Sequence, residues 1–433
     1  MDARDNRIKI LSRSNRIYLL SFAVCFAIVV GTFNNKFSYL ALAISLASIV
    51  LLNEYDAICF MMVVMSFANI FKTSPGAQSF FTYLMLFFVL WYFAKSRRIY
   101  KTLLITMALL LVYLVFQMYF SIHILRTIKF AANLLFIYFA LSYCTVDNIR
   151  KMFVFYIFGV VVTSSLSAFG VIPNLSDYIG LKEMMLQGEK IVRFAGMYAD
   201  PNYYTINLII SLCLIVILGH KKLIGVIPSV GLSALLIFFA GMTASKSAFL
   251  MLVLPLCFLI YSKLKKRNYF VLLVVAVLSI VAVNLLFSGK IEIFNNALSR
   301  IDNAADVNSL TTGRSNIWIS YCEFFLDHPV STLFGRGFGA QLWQSHGAHN
   351  TYIDMIYYLG IVGTLLLLLV FYALIKIRKG PSKFNLLNYS VWICVAIMYF
   401  FLSELFYFDW AFHILIAICV FKMDMTKEGS FDD

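Results

Sequence analysis

Several basic residues stand where a membrane protein ordinarily avoids them. Arg126 and Lys129 lie three residues apart, Arg193 sits in VRFAGMYADPN, Lys246 in TASKSAF, Arg314 in TTGRSNIW and Arg336 in FGRGFG. The three-residue spacing puts Arg126 and Lys129 on one helix face. A cationic side chain costs roughly 2.5–3.5 kcal/mol at the centre of a spanning helix on the insertion scale. Five or six of them facing one cavity would suit a polyanion. Each taken singly has a plainer reading. Arg126 and Lys129 can snorkel to an interface, Lys246 can anchor a turn, and Arg314 can be a capping or solvated loop arginine. Arg314 follows Thr-Thr-Gly and opens a helix-forming stretch, and the N–H groups of a helix N-terminus suit anions.

The second group of candidates is neutral or acidic. His349 stands just before an apolar run in HGAHNTYIDMIYYLGIVG. An imidazole there can serve as a general base or a hydrogen-bond donor near neutral pH, or the His349–Asn350 pair can cap the helix. Asp354, one turn further on, can orient the site or bind a neighbouring group. His346 and His349 have a metal-like spacing, but no HExxH pattern and no paired carboxylate accompanies them, so neither a metal nor a cofactor is expected. Gly335 to Gly339 looks like a phosphate-cradling turn. It lacks the following Lys-Ser/Thr and the preceding strand of the known nucleotide motifs, which leaves a glycine-rich turn or a backbone anion nest. Asp200-Pro201-Asn202 starts a helix, with Pro in the first turn.

The elements that position these residues must be membrane helices. Of 433 residues, 62% are hydrophobic and 13% charged, against about 45–50% and 25% in soluble domains. The apolar runs are continuous and roughly 20 residues long, which selects spanning helices over barrel strands. They fall near 17–33, 38–52, 55–71, 80–94, 103–120, 124–143, 152–170, 203–219, 223–242, 247–261, 269–287, 352–375, 386–402 and 406–421. The expected fold is an all-α integral membrane protein with 12–14 spans. The net charge of +14 does not point to nucleic acid, because Lys and Arg cluster in short connections between runs. With both termini cytoplasmic, most basic residues lie inside, as the positive-inside rule requires. The exception is the Asn53-Glu54 turn, which has no basic residue. The first run reads as a retained span and not as a cleaved signal peptide. Eight scattered cysteines show no CxxC spacing and imply neither a disulfide framework nor a zinc site.

This topology divides the chain into N-terminal helices (1–170), a first external loop (171–202), central helices (203–287), a large external loop (288–351) and C-terminal helices with a cytoplasmic tail (352–433). Loops longer than about 12–15 residues are usually functional or disordered. The helix-forming SNIWISYCEFFLD makes the large one a small folded cap.

VRFAGMYADPN, TASKS, TTGRSNIW, PVSTLFGRGFG and HGAHNTYIDMIYYLGIVG, in this order over about Ile191 to Val370, resemble the O-antigen polymerase/ligase superfamily of bacterial envelope proteins. The resemblance implies a membrane-embedded glycosyltransferase of the C type in the inner membrane, with its site facing the periplasm. The implied donor is a glycan on undecaprenyl pyrophosphate, used without metal or nucleotide sugar. It implies functional importance for Arg193, Arg314 and His349. Lys246, Arg336, Arg126, Lys129, Asn350 and Asp354 are the candidate binding residues around them. The family turn often carries Ser-Arg where this chain has Ser245-Lys246, which keeps the charge and loses the bidentate fork.

The first expectation is a polymerase that adds a lipid-linked chain to the next lipid-linked unit, with a chain-length regulator as a further partner suggested by the family. The second is a ligase that passes the finished chain to lipid A–core. A third, of another class, is a polysaccharide flippase or transporter, which would show repeat symmetry and discontinuous helices near the midplane.

Overall fold

The computed structural model describes residues 2–95, 101–144, 146–173, 175–179, 184–186, 189–191, 193–243, 245–265, 267, 269, 273, 313–339, 342, 347–376, 386–403, 405 and 407–422. Among them are sixteen helices: α1 (Asp2–Gly31), α2 (Lys36–Leu51), α3 (Glu54–Met65), α4 (Phe80–Lys95), α5 (Lys101–Met118), α6 (Ile124–Tyr143), α7 (Val146–Ala168), α8 (Leu175–Ile179), α9 (Pro201–His220), α10 (Val226–Met242), α11 (Lys246–Lys265), α12 (Arg314–Asp327), α13 (Pro329–Phe334), α14 (Thr351–Lys376), α15 (Leu386–Phe400) and α16 (Phe408–Lys422). The all-α membrane architecture holds. The addition to it is a small antiparallel ribbon, β1 (Met184–Leu186) and β2 (Glu189–Ile191), with Met184 opposite Ile191.

Among the described residues, five helices are long and apolar enough to cross a membrane: Lys101–Met118, Ile124–Tyr143, Asn148–Ala168, Pro201–His220 and Thr351–Lys376. Seven more are apolar but shorter, at 10–17 residues, below the roughly 20 that span hydrocarbon without tilt or thinning. The run expected to be helical over 55–71 stops at Met65, with turns following to Ile70. The expected helix over 269–287 lies outside the described residues.

The chain forms two compact units, divided within α6: Met1–Arg98 with Leu135–Asp200, and Ile99–Leu134 with Pro201–Asp433. In the first unit α3 is the core element, with every residue from Tyr55 to Met65 buried. Helices buried on all sides show no polar face. The α3 N-terminus is capped by Asn53, whose Oδ1 accepts from the Asp56 amide at 2.8 Å. Glu54 and Asp56 pair with Lys95 and Lys151 at 3.0 and 2.6 Å. The Asn53-Glu54 turn, with no basic residue of its own, thus shares one end of this unit with the Lys95 and Lys151 connections.

In the second unit α9 is the central element, buried along most of its length and packed by α10, α11 and α15. Helix α14 packs on α5, α12, α13 and α15. It is broken at Gly360, where φ is +69°. Such a break frees backbone groups that must find other partners at membrane depth. Tyr113 of α5 supplies one, its hydroxyl donating to Leu359 O and Phe334 O at 2.7 Å each.

Candidate functional site

Helix α12 begins at Arg314 because Gly313 takes a left-handed φ of +83°. That conformation turns the chain into the helix and costs an L-residue about 1–2 kcal/mol. The Arg314 side chain is half-buried, and its Nη1 donates to Phe401 O at 2.8 Å. One turn along, Trp318 Nε1 donates to Ala348 O at 2.9 Å, and its ring meets Phe400 edge-on. The start of α12 is therefore fixed to two segments at once, the residues before α14 and the end of α15.

The residues before α14 converge on His349 from both sides. Ala348 donates its amide to Asp354 Oδ1 at 3.2 Å and offers its carbonyl to Trp318. Asn350 caps α14, its Oδ1 accepting from Tyr352 N and Ile353 N at 3.0 and 3.2 Å. Between these pinned neighbours His349 is half-buried with φ at +49°, one of three described non-glycine residues in the left-handed region. Non-glycine residues hold such a conformation only where the surroundings over-determine it. Thr351 Oγ1 completes the attachment by donating to Leu402 O at 2.5 Å. Arg314 and the first residue of α14 thus hang on consecutive carbonyls of one strand of chain, whose Cα atoms are about 3.8 Å apart.

Arg314 and Thr351, two residues after His349, donate to the adjacent carbonyls of Phe401 and Leu402. Asn350 and Asp354, expected as binding residues, are 2% and 1% exposed. Their contacts named above hold the backbone at the start of α14. Arg126 lies within electrostatic reach of the Asp354 carboxylate, and Lys129 sits over the Phe408 ring at 5.6 Å. The side chain of Lys246 lies outside the described residues, but its flanks are fixed: Ser245 and Ser247 donate to Asn202 Oδ1 at 2.6 and 3.2 Å. Arg193 belongs to the other unit and is buried there. Its turn is held where Ser167 Oγ donates to Gly196 O at 2.9 Å. Pro201 opens α9 as expected.

The Gly335–Gly339 turn is a packing device. Arg336 N and Gly337 N donate to Tyr357 O and Tyr358 O at 2.9 and 3.2 Å, and Phe338 N to Ser121 Oγ at 2.9 Å. A nest needs those N–H groups turned toward an anion, and here protein oxygens take all three. A Cβ at Gly335 would strike Tyr358 O, and one at Gly360 would strike Gly335 N. The turn fills the break in α14. Arg336 is exposed, its guanidinium over Phe324 at 5.9 Å, ten residues beyond Arg314 and so about 15 Å along the helix axis.

Two features carry no motif and emerge only from the structure. The connection Phe401–Tyr407 collects most of the site's attachments: Arg314 on Phe401 O, Thr351 on Leu402 O, Tyr203 Oη on Ser403 O at 3.1 Å and Asn133 Nδ2 on Tyr407 O at 3.2 Å. Beneath it lies a buried polar chain. Asn207 Nδ2 donates to Asp409 Oδ2 at 3.1 Å and to Tyr203 O at 3.0 Å, while His413 Nε2 lies 3.1 Å from Asn207 Oδ1 and Tyr399 Oη 3.3 Å from His413 Nδ1. Interhelical hydrogen bonds in membranes contribute about 0.6 kcal/mol each on average. Polar and ionisable residues buried among apolar helices are uncommon and are held by partners such as these. The signal available beforehand was the presence of Asn, Asp and His within apolar runs.

A family model described as O-antigen ligase matches residues 231–368, about a third of the chain. The segment contains Lys246, Arg314, Arg336, His349, Asn350 and Asp354. No curated protein and no solved structure matches the chain.

Proposed function

We propose, from the match of residues 231–368 to the O-antigen ligase family model, that this chain is a polymerase of the O-antigen polymerase/ligase superfamily, joining undecaprenyl-pyrophosphate-linked repeat units at the periplasmic face of the inner membrane. The observation that supports this most is that Arg314 and Thr351 donate to the adjacent carbonyls of Phe401 and Leu402, while His349, two residues before Thr351, is held in a left-handed backbone conformation. An acceptor hydroxyl attacks the anomeric carbon of the donor glycan. The bond from that carbon to the pyrophosphate oxygen breaks, and undecaprenyl pyrophosphate leaves with the bonding electron pair. The hydroxyl proton passes to the His349 imidazole, as general-base catalysis requires. Direct displacement inverts the anomeric centre. Arg314 offsets the charge that builds on the leaving pyrophosphate. Fixed donors aimed at developing charge are usually the largest single contribution to such catalysis, and this arrangement needs no metal. Lys246, Arg126 and Lys129 add positive charge for the donor headgroup.

The description of the matching family favours a second reading, transfer of the lipid-linked glycan to lipid A–core by a ligase. The surface lipopolysaccharide of the native host separates the two. The gene is deleted and the strain complemented with wild type or Arg314→Ala. Core carrying a single repeat identifies the polymerase. Bare core with accumulated lipid-linked polymer identifies the ligase. An unchanged profile in the deletion strain contradicts both.

A further inference from the structure

The buried polar chain has a direction. Asn207 uses its amide nitrogen for two acceptors, Tyr203 O and Asp409 Oδ2, so its oxygen faces His413. His413 then carries its proton on Nε2 and leaves Nδ1 to accept from the Tyr399 hydroxyl. Tyr399, His413, Asn207 and Asp409 thus follow one another at hydrogen-bonding distance. A partly satisfied network would be worse than an apolar core; this one is matched link by link.

Its members sit where α15 ends and α16 begins. Tyr399 lies in the last turn of α15, Asp409 in the first turn of α16 and His413 one turn deeper. Asn207 and Tyr203 occupy successive turns of α9. His413 and Asn207 therefore tie three helices together below the Phe401–Tyr407 connection. Tyr203, one turn earlier in α9, reaches the connection itself through Ser403 O and through its ring, 4.5 Å from that of Tyr407. The carbonyls of this connection set where Arg314 and Thr351 stand.

We infer that Asn207, Asp409 and His413 are positioning residues for glycosyl transfer, fixing the Phe401–Tyr407 connection so that Arg314 meets the leaving pyrophosphate. This rests on the role assigned to Arg314 above. They touch no reacting atom and act through that arginine. Misplacement of a catalytic group by about 1 Å can cost on the order of 100-fold in rate.

The test uses the full-length protein in lipid nanodiscs, with an undecaprenyl-pyrophosphate-linked repeat unit as donor and acceptor. His413→Leu lowers kcat by about 10- to 100-fold with KM almost unchanged. His413→Gln, which keeps one donor and one acceptor, restores most of the rate. In combination with the slow but measurable Arg314→Lys, His413→Leu causes no further loss, because both act through one group. Wild-type kcat in His413→Leu beside an inactive Arg314→Ala overturns the inference and leaves the assigned function standing. So does a Gln variant as slow as the Leu variant, or losses that multiply with Arg314→Lys. Full activity in Arg314→Ala overturns the reading beneath it. If His413→Leu does not yield folded protein, Asp409→Asn decides: a lower kcat at unchanged KM supports the inference, and wild-type kcat overturns it.

Discussion

Two Gly-Arg pairs lie 22 residues apart in this chain, and their sequences look alike. Gly313-Arg314 and Gly335-Arg336 both have glycine at positive φ, +83° and +80°, with Gly313 left-handed helical at ψ −2° and Gly335 extended at ψ 167°. Their surroundings differ completely. Among the described residues nothing lies within 4 Å of a Cβ built on Gly313, whereas one on Gly335 collides with backbone atoms of Tyr358, Leu359 and Gly360. At the first pair glycine supplies a conformation, and the arginine is half-buried and held on Phe401 O. At the second it supplies close approach, and the arginine is exposed over Phe324. The same Gly-Arg pair thus positions its arginine against a backbone carbonyl in one place and packs its backbone into a helix break in the other.

The comparison can be broken at four points. Arg314→Ala should lower transfer by at least about 100-fold, the usual loss for one preorganised donor, in protein that remains folded by thermal melting. His349→Ala should lower kcat by about 100-fold or more, within the range for general-base catalysis, while donor binding measured by competition changes little. Gly335→Ala should act on stability: backbone cannot yield as a side chain can. Loss of folded protein or a large fall in Tm, with residual activity proportional to the folded fraction, is the expected result. Gly313→Ala should cost only the conformational strain, about 1–2 kcal/mol, with Gly313→Asn milder because Asn tolerates the left-handed region. Equal destabilisation by the two alanine variants would erase the distinction between the pairs.

The helices were legible because hydrocarbon enforces long apolar runs, and nearly every described helix lies on a run visible in the sequence. Arg314 and His349 stood out because a cation or an imidazole flanking an apolar run has few structural reasons to be there, and their proposed roles rest on that together with the geometry around them. The packing role of Gly335 was not legible. It depends on Gly360, 25 residues on, being broken at the same depth. The Phe401–Tyr407 connection was invisible for a related reason: its contribution is made by backbone carbonyls, which every sequence possesses. Asn207, Asp409 and His413 were visible as polar residues within apolar runs, yet their convergence depends on the packing of α9, α15 and α16. The match to residues 231–368 likewise ends before those last two helices.

The most direct measurement sets the two arginines side by side. Purified wild type, Arg314→Ala and Arg336→Ala are supplied with labelled undecaprenyl-pyrophosphate-linked repeat units, and the products are resolved on a gel. The expected result is a ladder of extended glycans from wild type and from Arg336→Ala, within a few-fold of each other, since an exposed cation–π contact contributes only about 0.5–1 kcal/mol. Arg314→Ala should give no ladder. A normal ladder from Arg314→Ala, or its loss in Arg336→Ala alone, would contradict the account.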